Sequence, residues 1–168
     1  VNFVGHGSVE CPNPTSIMDA VALLNKDLLQ TACAATLNGK VVDLRTQLTE
    51  DAEVALVDTS SKEALKVLRH TTAHVMAEAV KHLFPEAKFT IGPATDNGFF
   101  YDFDFRPFTQ EDLAAIEKEM KHIIKQNPRV LREEVSREQA IALFQAKNEP
   151  YKLELIDAIP AGEKITLY

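Results

Sequence analysis

The sequence has 168 residues, 45% of them apolar and 26% charged, with a formal net charge of −7; that balance suits one ordinary domain, or two small ones, with a buried core. No apolar run is long enough to span a bilayer, the opening Val1-Asn2-Phe3-Val4-Gly5 has none of the basic and apolar regions of a secretory signal, and two cysteines without a Cys-x2-Cys do not make a disulfide framework. The charge is uneven, −5 over residues 1–60 and −2 over 61–168, so the chain lacks the basic footprint of an independent nucleic-acid binder.

Val1–Val4 and Ser8–Cys11 read as short strands joined by Gly5-His6-Gly7, with His6 exposed in the turn. Pro12-Asn13-Pro14 breaks the pattern. Ser16-Ile17-Met18-Asp19 then opens a helix whose inner face is Ile17, Ala20, Val21, Leu24 and Leu28. Cys33–Leu37 and Lys40–Leu44 flank Asn38-Gly39, the strongest short hairpin signal. Cys33 is expected in the core, and Glu53–Asp58 alternates as a further strand. Two hairpins flanking a helix predict a β-grasp, ubiquitin-like domain over residues 1–59. Nothing in it has a catalytic pattern, so a binding or positioning role is expected.

A second domain is expected over residues 60–168. Its first helix reads from Ser61 to Leu83, with Ser60 as N-cap and Glu63 as capping-box partner. Leu65, Leu68, Thr72, Met76, Ala79 and Leu83 recur at helical spacing and are expected to face a core. His70 and His74 fall almost opposite that stripe, one turn apart, with Ala73 and Ala77 beside them. Two imidazoles on a small-residue face can wall a site; the same spacing also serves a polar surface. The metalloprotease pattern fails, because Thr71 stands where that chemistry needs a glutamate. A His-x3-His pair also supplies two ligands where catalytic zinc takes three.

The helix ends before Pro85, and Lys88–Ile91 reads as a strand. Gly92-Pro93 and Asp96-Asn97-Gly98 are turns. In the strand Phe99–Phe105, Phe99, Tyr101, Phe103 and Phe105 share one face, leaving Phe100, Asp102 and Asp104 on a solvated one. Thr109-Gln110-Glu111-Asp112 opens a helix with Leu113, Ile116, Met120, Ile123 and Ile124 inward and His122 exposed, ending at Asn127-Pro128. The bases Lys118, Lys121, Lys125, Arg129 and Arg132, interleaved with Glu117 and Glu119, read as a solvated face. Arg129–Glu134 reads as a strand, and Ser136-Arg137-Glu138-Gln139 opens a third helix with Ala140, Ile141, Leu143 and Phe144 inward. Tyr151–Ile156 is a short element of undecided type. Pro160 and Gly162 break it, and Glu163–Tyr168 begins a strand whose abrupt stop points to a longer natural polypeptide.

His70-Thr71-Thr72-Ala73-His74 after Leu68-Arg69 resembles the Arg-His-Ser-x-Ala-His signature of bacterial threonyl-tRNA synthetases. Leu83-Phe84-Pro85, Ile91-Gly92-Pro93, Asn97-Gly98-Phe99-Phe100-Tyr101-Asp102, Glu111-Asp112-Leu113 and Tyr151-Lys152-Leu153-Glu154 follow in the family's order. Leu37-Asn38-Gly39-Lys40-Val41-Val42-Asp43-Leu44 resembles its TGS domain. The resemblance implies an α+β chain: a β-grasp TGS domain, then an α/β editing domain of the threonyl/alanyl-tRNA synthetase type, truncated at its C-terminal end.

In the family the editing domain hydrolyses serine wrongly attached to threonine tRNA. ATP-dependent aminoacylation, with its ATP, magnesium and zinc, belongs to domains not expected in this chain. Carried over by motif, His70, His74 and Lys152 are catalytic and Tyr101 is substrate-binding. Phe100 replaces the first tyrosine of the tyrosine block. The Asp and Cys-x3-His that complete the family's site are absent from the sequence. Impaired editing is therefore expected, with no cofactor and at most weak zinc at His70 and His74. The implied partner is the acceptor end of tRNA(Thr), with no membrane. The location is cytoplasmic, the longer parent a homodimer and this chain a monomer. The competing readings are a non-catalytic RNA- or protein-binding module and a His-x3-His metal-binding protein.

Overall fold

The computed structural model describes residues 1–167; Tyr168, the end of the last expected strand, lies outside them. The chain is α+β and divides into two units, Val1–Leu68 and a second from Arg69 onward. The helix that carries the histidines starts in the first and continues into the second.

In the first unit, β1 (Asn2–Phe3), β2 (Gly7–Ser8), β4 (Ala32–Leu37), β5 (Lys40–Val42) and β7 (Glu53–Asp58) form one sheet in the order β2-β1-β7-β4-β5. β1 runs parallel to β7, and the other neighbours are antiparallel, which is the β-grasp arrangement. A separate pair joins β3 (Thr15–Ser16) to β6 (Gln47–Leu48). Helix α1 (Ile17–Asn25) is capped by Ser16, whose side chain accepts from the Asp19 N–H, and a 3-10 turn over Lys26–Gln30 follows it. Ile17, Ala20 and Val21 bury against Phe3, Ala35, Leu48 and Val54. Asn38 (φ 51°) and Gly39 (φ 77°) take the two left-handed positions that a tight hairpin demands.

Two expectations are corrected here. The second strand is only Gly7–Ser8, because the chain leaves the sheet toward Pro12. Cys33 is exposed rather than core. A register shift between Ala32 and Ala34 bulges β4 at Cys33, so the residue loses its place in the alternation. Its thiol donates to the Val57 carbonyl at 3.4 Å, and Ala34 takes the inward position, packed with Val57 and Ala64.

Helix α2 spans Lys62–Leu83. Its N-cap is Ser61, which accepts from the Ala64 N–H at 3.1 Å. Ser60 is unsuited to that role because its hydroxyl and N–H both donate to Asp58 Oδ1 (2.6 and 2.8 Å). The inward stripe is also corrected. Of its members Ala79 is buried and Met76 packs on the core as expected, but Leu65, Leu68 and Leu83 are exposed, and Ala73 and Val80 are buried in their stead.

The second unit continues with β8 (Lys88–Phe89), β9 (Ala94–Thr95), β10 (Gly98–Phe99), β11 (Phe103–Asp104), α3 (Gln110–Gln126), β12 (Glu133–Val135), α4 (Arg137–Ala146), α5 (Pro150–Ala158) and β13 (Ile165–Leu167). Its strands pair only two by two: β8 with β11, β9 with β10 and β12 with β13. The expected strand Phe99–Phe105 therefore appears as two short pieces, yet its alternation holds, with Phe99, Tyr101, Phe103 and Phe105 partly buried and Phe100, Asp102 and Asp104 exposed. Rings of Phe84, Phe89, Tyr101, Phe103, Phe105 and Phe108 touch in a chain, with centroids 5.0–5.9 Å apart. They pack on Val80, Ile116 and Ile123. Leu113 and Ile124, expected inward, are exposed.

The starts of α3 and α4 carry reciprocal capping boxes, Thr109 with Asp112 and Ser136 with Gln139. Tyr151–Ile156 belongs to α5, with Pro150 at its first turn, where a missing N–H costs nothing. The Arg137 guanidinium donates to the Ile156, Ile159 and Pro160 carbonyls and closes the far end of α5. Ala140, Ile156 and Ile165 form a second small core there.

Candidate functional site

Helix α2 supplies the histidines. The spacing that stacks residues four apart brings His70 Nε2 to 3.1 Å from His74 Nε2, with the rings edge-on and centroids 4.6 Å apart. Two ring nitrogens at that distance share one proton, so one imidazole donates and the other accepts. His70 is exposed and His74 is half-buried. Burial, then the His70 charge and then the Lys152 charge hold the His74 pKa below its ordinary 6.5. That direction favours the neutral imidazole, the form able to accept a proton.

Lys152 enters from the first turns of α5. Its ammonium donates to the Thr90 carbonyl at 2.9 Å and to the Tyr101 hydroxyl at 3.2 Å, and it lies 5.6 Å from the Tyr101 ring centroid. Tyr101 stacks on Phe103 and meets Phe89 edge-on, so the aromatic core fixes its ring. His70, His74, Tyr101 and Lys152 come from three separated stretches of chain and share one neighbourhood. A positive charge, a hydroxyl and an imidazole held toward its neutral form have the chemistry to bind a carbonyl oxygen and take a proton from water.

Three supporting residues were not identified from the sequence. A Cβ on Gly92 would lie 2.1 Å from Tyr101 Cδ2 and 2.4 Å from Cε2, so only glycine lets the ring sit there. Thr90 lends its carbonyl to Lys152. Arg69 donates to the Thr95 and Asp96 carbonyls (3.1 and 2.5 Å), tying the β9–β10 turn to the helical turn that carries His70. Gly92 lies inside the Ile91-Gly92-Pro93 block, where its turn-forming pattern hid its packing role.

Other candidates stay apart from this site. On the exposed face of the Phe99–Phe105 stretch, Asp104 accepts from the Tyr151 hydroxyl at 2.8 Å. In the basic run, Lys121 pairs with Glu117 and Arg132 with Glu134. Zinc–nitrogen bonds of about 2.0–2.1 Å fit between the two imidazoles. Among the described residues, however, no group of three or more His, Cys, Asp or Glu could hold a metal ion. Two imidazoles are fewer ligands than a catalytic zinc takes. Among the described residues no helix is long and apolar enough to cross a membrane.

A family model described as the TGS domain matches residues 3–58. The threonine–tRNA ligase of Magnetococcus marinus is 49% identical over 148 residues, 88% of this chain and 23% of that protein. Those of Cupriavidus necator and Anoxybacillus flavithermus are each 44% identical, over 95% and 100% of this chain and 25% and 26% of their own lengths. The chain spans about a quarter of the length of these relatives. Over its whole length the chain is thus similar to a segment of threonine–tRNA ligases, and residues 3–58 match the TGS domain.

Proposed function

We propose that residues 60–168 form an editing domain that hydrolyses serine from mischarged tRNA(Thr), in the service of ATP-dependent threonine attachment by a longer protein. Serine is threonine without one methyl group, and a synthetic pocket rejects a smaller substrate by only about 1–3 kcal/mol. A second, hydrolytic site is the remedy for such an error. The observation that carries this reading is the convergence of His74, Lys152 and Tyr101.

In the proposed reaction, neutral His74 takes a proton from water as its oxygen attacks the seryl ester carbonyl. The Lys152 ammonium faces the oxyanion that forms, and the Tyr101 hydroxyl helps to hold the substrate. When the tetrahedral intermediate collapses, the C–O bond to the ribose breaks. The histidinium returns its proton to the leaving ribose oxygen, giving free serine and tRNA. His70 shares the proton held between the ring nitrogens and orients His74.

The Cys-x3-His that the resemblance calls for is not in these 168 residues, so the chain by itself is expected to be slow. The test compares Ser-tRNA(Thr) with Thr-tRNA(Thr), using this chain and a version extended through a Cys-x3-His. Faster, serine-selective release by the extended version supports the reading. Inactivity of both favours a non-catalytic binding module instead.

A further inference from the structure

Glu149 is the one charged residue among the buried polar groups of the described chain, only 5% exposed, at the junction between α4 and α5. Its carboxylate accepts from two elements at once. Lys81 Nζ of α2 reaches Oε1 at 2.5 Å, and the Phe89 N–H of β8 reaches Oε2 at 3.3 Å. Its backbone is engaged as well: its N–H donates to the Phe144 carbonyl, and its carbonyl accepts from the Lys152 N–H at 3.2 Å. Lys81 also donates to the Ala87 carbonyl at 3.4 Å and stands 4.9 Å from the Phe89 ring centroid. Next door, Lys88 Nζ donates to the Asn148 carbonyl at 2.7 Å.

These contacts lie between the two helices that supply the site. Lys81 is two turns beyond His74 on the same face of α2. Lys152 is one turn beyond Glu149 at the start of α5. The β8 region receives both ends of that turn, Glu149 at the Phe89 N–H and Lys152 at the Thr90 carbonyl. A largely buried ion pair adds little stability over a well-packed apolar pair, but its bonds are directional. Apolar side chains would hold α5 against α2 without fixing where one turn later the Lys152 ammonium falls.

We propose that Lys81 and Glu149 are positioning residues: their ion pair fixes α5 against α2 and β8 so that the Lys152 ammonium stands at the Tyr101 hydroxyl beside His74. Neither touches substrate. The inference rests on the reading of Lys152 as a working group of the proposed hydrolysis.

The test uses the 168-residue chain with 13C-labelled lysine. The Lys152 side-chain signals are identified by their loss in Lys152→Met, and the Tyr101 ring current displaces them from free-lysine values. The double variant K81M/E149L replaces the pair with apolar groups of similar size, and circular dichroism reports the fold. The expected result is a folded chain whose Lys152 signals return to free-lysine values. A folded double variant with unchanged Lys152 signals overturns the proposal. Where the double variant does not fold, Glu149→Gln decides. It keeps the size and an acceptor for the Phe89 N–H but drops the charge; a shift toward free-lysine values supports the pair's role, and unchanged signals overturn it. Seryl-tRNA hydrolysis by the wild-type and Lys152→Met chains tests the underlying reading separately. Equal rates remove the catalytic meaning of the pair, whereas unequal rates with unchanged signals overturn the pair's role alone.

Discussion

Gly92→Ala is a small change with a large expected effect. The new methyl carbon would stand 2.1, 2.4 and 2.8 Å from three carbons of the Tyr101 ring. Carbon atoms in contact prefer about 3.5–4.0 Å, so the ring or the Gly92 backbone must move by about 1.5 Å. The ring has little freedom, being stacked on Phe103 at 5.0 Å and set edge-on to Phe89 at 5.9 Å. Overpacking of this kind costs about 1–3 kcal/mol. For a unit of about 100 residues that lowers the melting temperature by about 5–20 °C. A ring displaced this far also takes its hydroxyl out of reach of Lys152, now 3.2 Å away. The assay is thermal unfolding followed by circular dichroism, with NMR of the Tyr101 ring signals and seryl-tRNA hydrolysis on the same samples. A variant that melts within 1 °C of wild type (about a tenth of the middle of that range) and keeps its Tyr101 signals would refute the packing argument.

Three further outcomes are expected. Because folding lowers the His74 pKa, the unfolded chain binds a proton that the folded chain does not as pH falls through 6.5; stability to urea should drop between pH 7.5 and 5.5 (spanning that ordinary value), and an equal drop in His74→Gln would sink the assignment. Lys152→Met removes a charge that helps to hold His74 neutral, so the His74 titration by NMR should move upward while hydrolysis falls about 100-fold, the typical loss of an oxyanion partner; a fixed titration curve contradicts the arrangement. Gly39→Ala meets no atom within 4 Å but keeps a φ of +77°, so the TGS unit should lose about 1–2 kcal/mol in urea titration from backbone strain alone, and no loss would mean that the turn has relaxed.

What the sequence revealed was mostly local. Asn38-Gly39 announced its hairpin because both residues tolerate positive φ, and the capping boxes at Thr109 and Ser136 announced their helices because each is a bargain between residues three apart. What it hid was decided across the fold. Ser60 lost the cap to Ser61 because Asp58 competes for it. Cys33 left the core because a bulge is a property of pairing register, not of one strand. The leucines of α2 misled: Leu65, Leu68 and Leu83 stay exposed, and Ala73 and Val80 are buried instead. At the site, the His70–His74 pair was legible as a helical spacing. Its meeting with Lys152 and Tyr101 was not, since no local rule joins residues 51 positions apart; only the family resemblance connected them. The packing of Gly92 and the pairing of Glu149 stayed hidden because each is defined by the group facing it.

Tyr101 belongs at once to the aromatic core and to the wall of the candidate site. Few of its neighbours can therefore drift freely over evolutionary time. A substitution that moves the hydroxyl also disturbs the rings behind it, and one that repacks the rings moves the hydroxyl in front. Adaptation to a new substrate would have to proceed through paired changes, which makes this wall slow to diverge and a poor place to begin redesign. The exposed Phe100, next in sequence but turned to solvent, is free of that constraint.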